Sequence, residues 1–103
     1  MIKYNKLIRD KIPTILEDQK KEFKTHKATE EEYMQKLQEK LLEEVSEFLE
    51  KPCLEELADI QEVLNTILYV MNISGDDLLK EMVEKSILRG AFEEKLILDW
   101  VKE

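Results

Sequence analysis

Two pairs of acidic residues are the part of this chain whose residue types and spacing could do chemistry. Glu44 and Glu47 are three positions apart, and so are Glu56 and Asp59. Carboxylate oxygens are ligands that Mg²⁺ prefers in proteins, where the ion usually lies between a few carboxylates and the phosphates of a substrate. The four residues are therefore candidate ligands of a divalent metal, with Mg²⁺ as the first candidate and Mn²⁺ as a substitute.

The direction of these side chains on their helices strengthens this interpretation. At about 100° per residue, Glu44 and Glu56 fall within the apolar arcs of two successive helices, and Glu47 and Asp59 fall at the edges of those arcs. The arcs consist of Tyr33, Met34, Leu37, Leu41, Val45 and Phe48, and of Leu57, Ile60, Val63, Leu64, Ile67 and Met71. The neighbouring acids Glu43, Glu50, Glu55 and Glu62 point away from these arcs. Carboxylates that converge on a buried face repel one another and need a cation or donors to compensate them.

A simpler alternative is that these acids belong to solvated helix faces. The chain carries 24 acidic and 16 basic residues, a formal net charge of −8, and acidic helix faces are common in such proteins. One acidic pair alone would favour that alternative. Two pairs turned inward on adjacent amphipathic helices favour the metal site.

The two helices that must position the acids have clear boundary signals. Thr29 and Glu32 form a capping-box pattern, which predicts a helix from there to Leu49 or Glu50. Residues 51–53, with a central proline, end it, and a second long helix is predicted over residues 54–71. So short a connection implies an antiparallel hairpin, which would bring the two acidic pairs together near its closed end.

The rest of the chain predicts shorter elements around this hairpin. An extended N-terminal arm leads to a short helix from Pro13 to Gln19, and residues 23–28 form an irregular link. Ser74 and Asp77 predict a further helix that runs to about Leu88 and stops at Arg89-Gly90-Ala91. The tail, residues 92–103, fits either a short strand or a last helical turn.

Length and composition indicate one helix-rich globular domain over residues 1–103. Hydrophobic residues make up 43% and charged residues 39% of the chain, with only two glycines and two prolines. The fold class is therefore all-α, a helical bundle built on the antiparallel hairpin with an extended N-terminal arm. A chain of this size has a modest core, so burial against further copies in a homodimer or higher homo-oligomer is expected.

Charge and missing motifs exclude several classes of function. The net charge of −8 argues against nucleic acid or an anionic membrane as a partner, whereas a metal-chelated nucleotide remains compatible. There is no P-loop, glycine-rich phosphate loop or serine nucleophile motif. Cys53 is interpreted as structural, and His26 has no Cys or His partner for zinc and receives no role. No apolar leader or spanning segment is found, so a cytoplasmic location is expected.

Two groups of basic residues could face a phosphate. Lys85 and Arg89 lie four residues apart on one helix face, although Lys85 could equally form an ordinary surface ion pair with Glu81. The stretch from Tyr4 to Lys11 is locally basic, which makes the arm a candidate nucleotide contact or a simple surface strap. Within it, the candidate contacts are Asn5, Lys6 and Arg9.

These residues together resemble a known family. Glu44-Val45-Ser46-Glu47 followed by Glu56-Leu57-Ala58-Asp59 resembles the ExxE and ExxD metal motif of the MazG-like all-α nucleoside triphosphate pyrophosphohydrolases. The segments 4–13, 41–45 and 85–92 are similar to a small stand-alone subgroup related to phosphoribosyl-ATP pyrophosphohydrolase. Short ExxE elements are unspecific alone, but this ordered set covers most of the chain.

The resemblance implies an oligomeric helical bundle that cleaves a nucleoside triphosphate between its α and β phosphates, giving the monophosphate and pyrophosphate. Many relatives clear non-canonical nucleotides. Glu44, Glu47, Glu56 and Asp59 would hold Mg²⁺, and the cations Lys85 and Arg89 would contact phosphate. Of the two acids on the first helix, Glu44 and Glu47, the border residue Glu47 is the better candidate to accept the proton of the attacking water.

The chain departs from the family pattern at two places. Only eight residues separate Glu47 from Glu56, fewer than is usual in the wider superfamily. Ala91 stands where the subgroup often has a second glycine. The first departure tightens the turn between the helices and leaves the position of the base pocket open.

Two other functions remain open at this point. One is phosphoribosyl-ATP pyrophosphohydrolase of histidine synthesis, which shares the chemistry and differs in its substrate. The other is a non-catalytic helical oligomerisation module whose acids keep it soluble. Dependence of stability on a metal separates this module from both enzymes.

Overall fold

The fold is all-α, as the composition and periodicity predict. A computed structural model describes residues 1–102 and contains four helices in that range: α1 Ile12–Asp18, α2 Glu30–Glu50, α3 Leu54–Val70 and α4 Gly75–Arg89. Residues 1–102 contain no strand. The chain divides into two compact units, Met1–Asn72 with α1 to α3, and a second unit that begins at Ile73 and contains α4.

The start of α2 uses one half of the predicted capping box. The Thr29 hydroxyl accepts a hydrogen bond from the backbone N–H of Glu32 at 3.2 Å, which satisfies one of the free donors of the first turn. In a complete capping box, the Glu32 carboxylate would accept from the backbone N–H of Thr29. Here it makes a different contact. It accepts from Nε2 of His26 at 2.9 Å, because the link before α2 brings that ring alongside the first turn.

The first unit is centred on the contact between α2 and α3, which pack together. Only three residues, 51–53, connect α2 and α3. So short a connection cannot span the length of a helix, so two packed helices that it joins run in opposite directions. Leu37 of α2 and Val63 of α3 are the buried apolar side chains among residues 1–102. The predicted arc of α2 is otherwise half-buried, at Tyr33, Met34, Leu41, Val45 and Phe48.

The predicted apolar arc of α3 is only partly covered. Ile60 and Ile67 are half-buried beside Val63, but Leu57, Leu64 and Met71 remain 49%, 37% and 55% exposed. These last three residues are seven positions apart and so lie along one line of the helix. This line remains exposed because the apolar arc of α3 is wider than the strip that α2 covers.

The arm, residues 1–11, has no regular secondary structure and lies against the hairpin. Its carbonyl oxygen at Asn5 accepts a hydrogen bond from Lys36 Nζ at 2.8 Å. Helix α1 follows with Pro13 in its first turn, and it ends one residue before the predicted Gln19. Residues 23–28 have no helix, as predicted.

The second unit consists of α4 and the residues after it. Ser74 caps the helix by accepting from the backbone N–H of Asp77 at 3.0 Å, as the pattern predicts. Gly90 ends it with φ of +78°, a conformation that glycine adopts without strain. The sequence left a short strand or a last helical turn open for the tail, and residues 92–102 form neither. They have no regular secondary structure, and the chain makes a turn near Phe92.

Within residues 1–102, every helix is too short or too polar to cross a bilayer.

Candidate metal centre

The four predicted acids come together in the first unit. Glu44 and Glu47 lie in the last two turns of α2, and Glu56 and Asp59 lie in the first two turns of α3. Each offers one carboxylate oxygen, and these oxygens all lie within 4.8 Å of one another. We call these four residues the carboxylate cluster. The cluster could hold a metal ion, as the spacing of the two pairs predicts.

Burial makes the carboxylate cluster different from an ordinary acidic surface. Glu44 is only 6% exposed, and Glu56 and Asp59 are half-buried. The Oε2 atoms of Glu44 and Glu56 are buried without a hydrogen-bond partner. A buried acceptor without a donor is costly, and a second negative charge beside it raises the cost further. A cation among these oxygens would compensate both atoms.

The donor set and its spacing fit a hard divalent ion. Mg²⁺ holds oxygen ligands at about 2.1 Å, and Ca²⁺ holds them at about 2.3 to 2.6 Å, so oxygens on opposite sides of one ion are about 4 to 5 Å apart. The 4.8 Å spread of the carboxylate cluster is close to this range, and small side-chain adjustments would bring the oxygens onto one ion. The all-oxygen set favours Mg²⁺, Mn²⁺ or Ca²⁺ over metals that prefer nitrogen or sulfur.

Lys40 is a functional neighbour that the sequence interpretation missed. Its Nζ lies 3.3 Å from Oε1 of Glu44, one helical turn away. Burial raises the pKa of Glu44, Lys40 opposes this increase, and the nearby charge of Glu47 adds to it. The signal was present in the sequence, because Lys40 precedes Glu44 by four residues, a spacing at which charged side chains meet on a helix.

The raised pKa of Glu44 predicts that the metal-free protein becomes less stable as the pH rises and this carboxyl group ionises. An acid that binds its proton more tightly in the folded state stabilises that state at low pH. This stability is lost as the pH rises from the ordinary value of 4.5 through the raised folded-state pKa. We therefore expect Glu44→Gln, which cannot ionise, to become progressively more stable than the wild type across that window. Urea denaturation in the presence of a chelator at pH 4 to 7 measures the difference.

Both proteins share every other titrating group, so the difference between their pH profiles reports the ionisation of Glu44 together with its coupling to Lys40 and Glu47. Parallel pH profiles for the wild type and Glu44→Gln would contradict the expectation.

The arm places one of its candidate residues directly on the carboxylate cluster. Arg9 donates from Nη2 to Oδ1 of Asp59 at 2.8 Å, and its Nη1 lies 3.6 Å from Oε1 of Glu62. The guanidinium group thereby neutralises part of the acidic charge at this edge. A metal ion at the carboxylate cluster would compete with Arg9 for Asp59.

A second arm residue reaches an acid that was expected to face solvent. Lys6 donates to Oε1 of Glu43 at 2.9 Å, and Lys40 lies 3.5 Å from Oε2 of the same carboxylate. The hydrogen bond from Lys6 lowers the pKa of Glu43, and Glu43 in turn raises that of Lys6. Glu43 is half-buried and not fully exposed to solvent, because the arm packs over this side of α2.

The other predicted cations belong to the second unit. Lys85 and Arg89 lie on α4, four residues apart, and both are exposed. Their contact with phosphate stays a prediction. Cys53 lies at the N-cap of α3 as a free, half-buried thiol whose side chain makes no capping hydrogen bond.

Comparison with known proteins gives no relative. No protein-family model, no curated protein and no solved structure matches the chain. The case for the site therefore depends on its residues and their geometry.

Proposed function

We propose that this protein is a Mg²⁺-dependent nucleoside triphosphate pyrophosphohydrolase, which cleaves its substrate between the α and β phosphates. The observation that carries this proposal is the carboxylate cluster, with its two buried carboxylate oxygens that have no partner. The ordered resemblance of the surrounding segments to the MazG-like family also supports it. Clearance of non-canonical nucleotides is the biological role that we propose.

The chemistry needs a water molecule, a polyphosphate and a base held in one place. Mg²⁺ bound to Glu44, Glu47, Glu56 and Asp59 would neutralise phosphate charge and favour ionisation of a water molecule. Glu47, at the border of the apolar arc, would accept a proton from the water as its oxygen attacks phosphorus. The bond between the α phosphate and its bridging oxygen to the β phosphate then breaks, and pyrophosphate leaves.

The experiment that tests this function is a measurement of pyrophosphate release. A panel of canonical, deoxy, oxidised and deaminated nucleoside triphosphates, together with phosphoribosyl-ATP, is supplied with Mg²⁺, with Mn²⁺ and with a chelator. We expect release that requires either metal and that differs between nucleotides. Release from phosphoribosyl-ATP alone would assign the related enzyme of histidine synthesis, and no release from any substrate would favour the non-catalytic helical module.

We further propose that the protein works as a homodimer or larger homo-oligomer. Two buried apolar side chains among residues 1–102 are a small core for a chain of this length. A partner that covers apolar surface and is needed for stability must be present whenever the protein is folded. A second copy of the same chain always meets this condition. Leu57, Leu64 and Met71 form an exposed line at the heptad spacing by which helices pack on one another.

Leu64→Glu is expected to disrupt this assembly. A charge placed in an apolar helix contact is strongly unfavourable, so the variant should be largely monomeric or unfolded at about 10 μM, where the wild type is oligomeric. Light scattering after size exclusion measures the mass, and circular dichroism measures the helix content. Asn65→Glu on the same helix is the control, because Asn65 is exposed and a carboxylate there still accepts from Gln61. A wild type that is monomeric at all concentrations would contradict the proposal.

A further inference from the structure

A cavity of about 220 Å³ lies between the arm and α2 in the first unit. Three lysines line it, Lys6 from the arm and Lys36 and Lys40 from α2, and they outnumber the two acids Glu39 and Glu43. Lysine is among the residues least often buried, yet the side chains of Lys36 and Lys40 are only 17% and 19% exposed. The lining thus carries one formal positive charge more than it carries negative, in a protein of net charge −8.

These amino groups keep donors for a ligand. An ammonium group has three N–H donors. Lys36 uses one on the carbonyl oxygen of Asn5 at 2.8 Å and lies 3.5 Å from Oε1 of Glu39. Lys6 uses one on Glu43 at 2.9 Å. At least one donor on Lys36 and one on Lys6 therefore remain for an anion.

Lys40 joins this cavity to the carboxylate cluster. Its Nζ lies 3.5 Å from Oε2 of Glu43, which lines the cavity, and 3.3 Å from Oε1 of Glu44, which belongs to the carboxylate cluster. One amino group thus borders both sites. A chain of phosphates that begins at a metal on the carboxylate cluster could continue past Lys40 into the cavity.

The chemistry of the lining favours phosphate over a nucleobase. A base would need an open aromatic face for stacking, and the aromatic ring of the lining is that of Tyr4. The Nζ of Lys6 lies 5.8 Å from the centre of this ring, so a cation already occupies one of its two faces. Lysine amino groups bind phosphate oxygens well, because they supply positive charge and several donors.

We propose that the cavity lined by Lys6, Lys36 and Lys40 binds the diphosphate end of the substrate, the two phosphates that leave as pyrophosphate. This inference depends on the proposed function for the identity of the substrate. The chemistry recognised is a diphosphate group, which a nucleoside triphosphate carries at its end and which free pyrophosphate presents alone.

Amide chemical shifts of the ¹⁵N-labelled wild type locate the binding site without any substitution. The probes are pyrophosphate, inorganic phosphate and a triphosphate analogue with a methylene group between the α and β phosphorus atoms, each with and without Mg²⁺. We expect pyrophosphate and the analogue to shift residues 4–7 and 36–43 most strongly, and inorganic phosphate to shift them less. Shifts confined to α4 around Lys85 and Arg89, or no shifts with any probe, would overturn the inference.

Charge-removing variants test which side chains bind the anion. Lys36→Met and Lys6→Met should each weaken pyrophosphate binding about tenfold or more in calorimetry. Lys24→Met removes one positive charge at an exposed position outside the lining, and its affinity should equal that of the wild type. Lys6→Met keeps the hydrogen bond from Lys36 to Asn5, so it stays informative if Lys36→Met loosens the arm.

The outcomes separate this inference from the function on which it depends. Metal-dependent turnover combined with unchanged pyrophosphate affinity in Lys36→Met and Lys6→Met would overturn the inference and keep the function. Pyrophosphate bound at the cavity of a protein that hydrolyses no nucleotide would support the anion site and reject the function.

Discussion

Glu56→Gln is expected to lower kcat/KM for a nucleoside triphosphate by about a thousandfold or more, while the fold is retained. Loss of a metal ligand removes several kcal/mol of transition-state stabilisation, and about 4 kcal/mol corresponds to that factor. The substitution also removes one of the repelling charges in the carboxylate cluster. The new amide could donate to a neighbouring carboxylate where Oε2 of Glu56 now has no partner. The metal-free variant should therefore be as stable as the wild type or more stable.

The matched control is Glu55→Gln, one residue earlier in α3. Glu55 is exposed and lies outside the carboxylate cluster, so this variant should keep nearly full activity. Pyrophosphate release and thermal unfolding are measured on both variants beside the wild type. A folded Glu56→Gln protein with retained activity, or equal losses in both variants, would contradict the role of the carboxylate cluster.

Mg²⁺ is expected to stabilise the folded wild type by binding at the carboxylate cluster. An ion that binds only the folded state adds about 2.7 kcal/mol at a concentration one hundred times its Kd. For a domain of about 100 residues this raises Tm by about 10 °C or more. A chelator should reverse the increase, and Mn²⁺ should reproduce it.

Glu44→Gln and Glu56→Gln test whether this stabilisation comes from the carboxylate cluster. Each should lose most of the increase in Tm, because each lacks one ligand charge. Potassium chloride at matched ionic strength controls for general screening of the acidic surface. Equal increases in the wild type and in both variants would show that the ion binds elsewhere. This measurement needs no substrate, so it also distinguishes an inactive metal-binding protein from a helical module without a metal.

The apolar pattern predicted the buried face of α2 better than that of α3. On α2, the arc that includes Leu37 and Phe48 is buried or half-buried as expected. On α3, Leu64 and its line remain exposed. Periodicity indicates which face of a helix is apolar, but the amount of that face that is covered depends on how many other elements reach it.

The local sequence predicted the four helices, and caps and breaks at Thr29, Pro52, Ser74 and Gly90 placed their boundaries within one residue or so. It also determined that Glu44 and Glu56 turn inward. These features depend on interactions between residues at most four positions apart, which spacing alone reveals.

The contact between the arm and the hairpin depends on tertiary packing, which spacing along the chain does not reveal. The contacts of Lys6 with Glu43 and of Arg9 with Asp59 join residues 37 and 50 positions apart. A basic arm beside a chain with 24 acidic residues has many partners of opposite charge, and no local pattern selects among them. The cavity beside the carboxylate cluster, with Lys36 and Lys40 on its wall, exists because the packed arm covers α2 at that place.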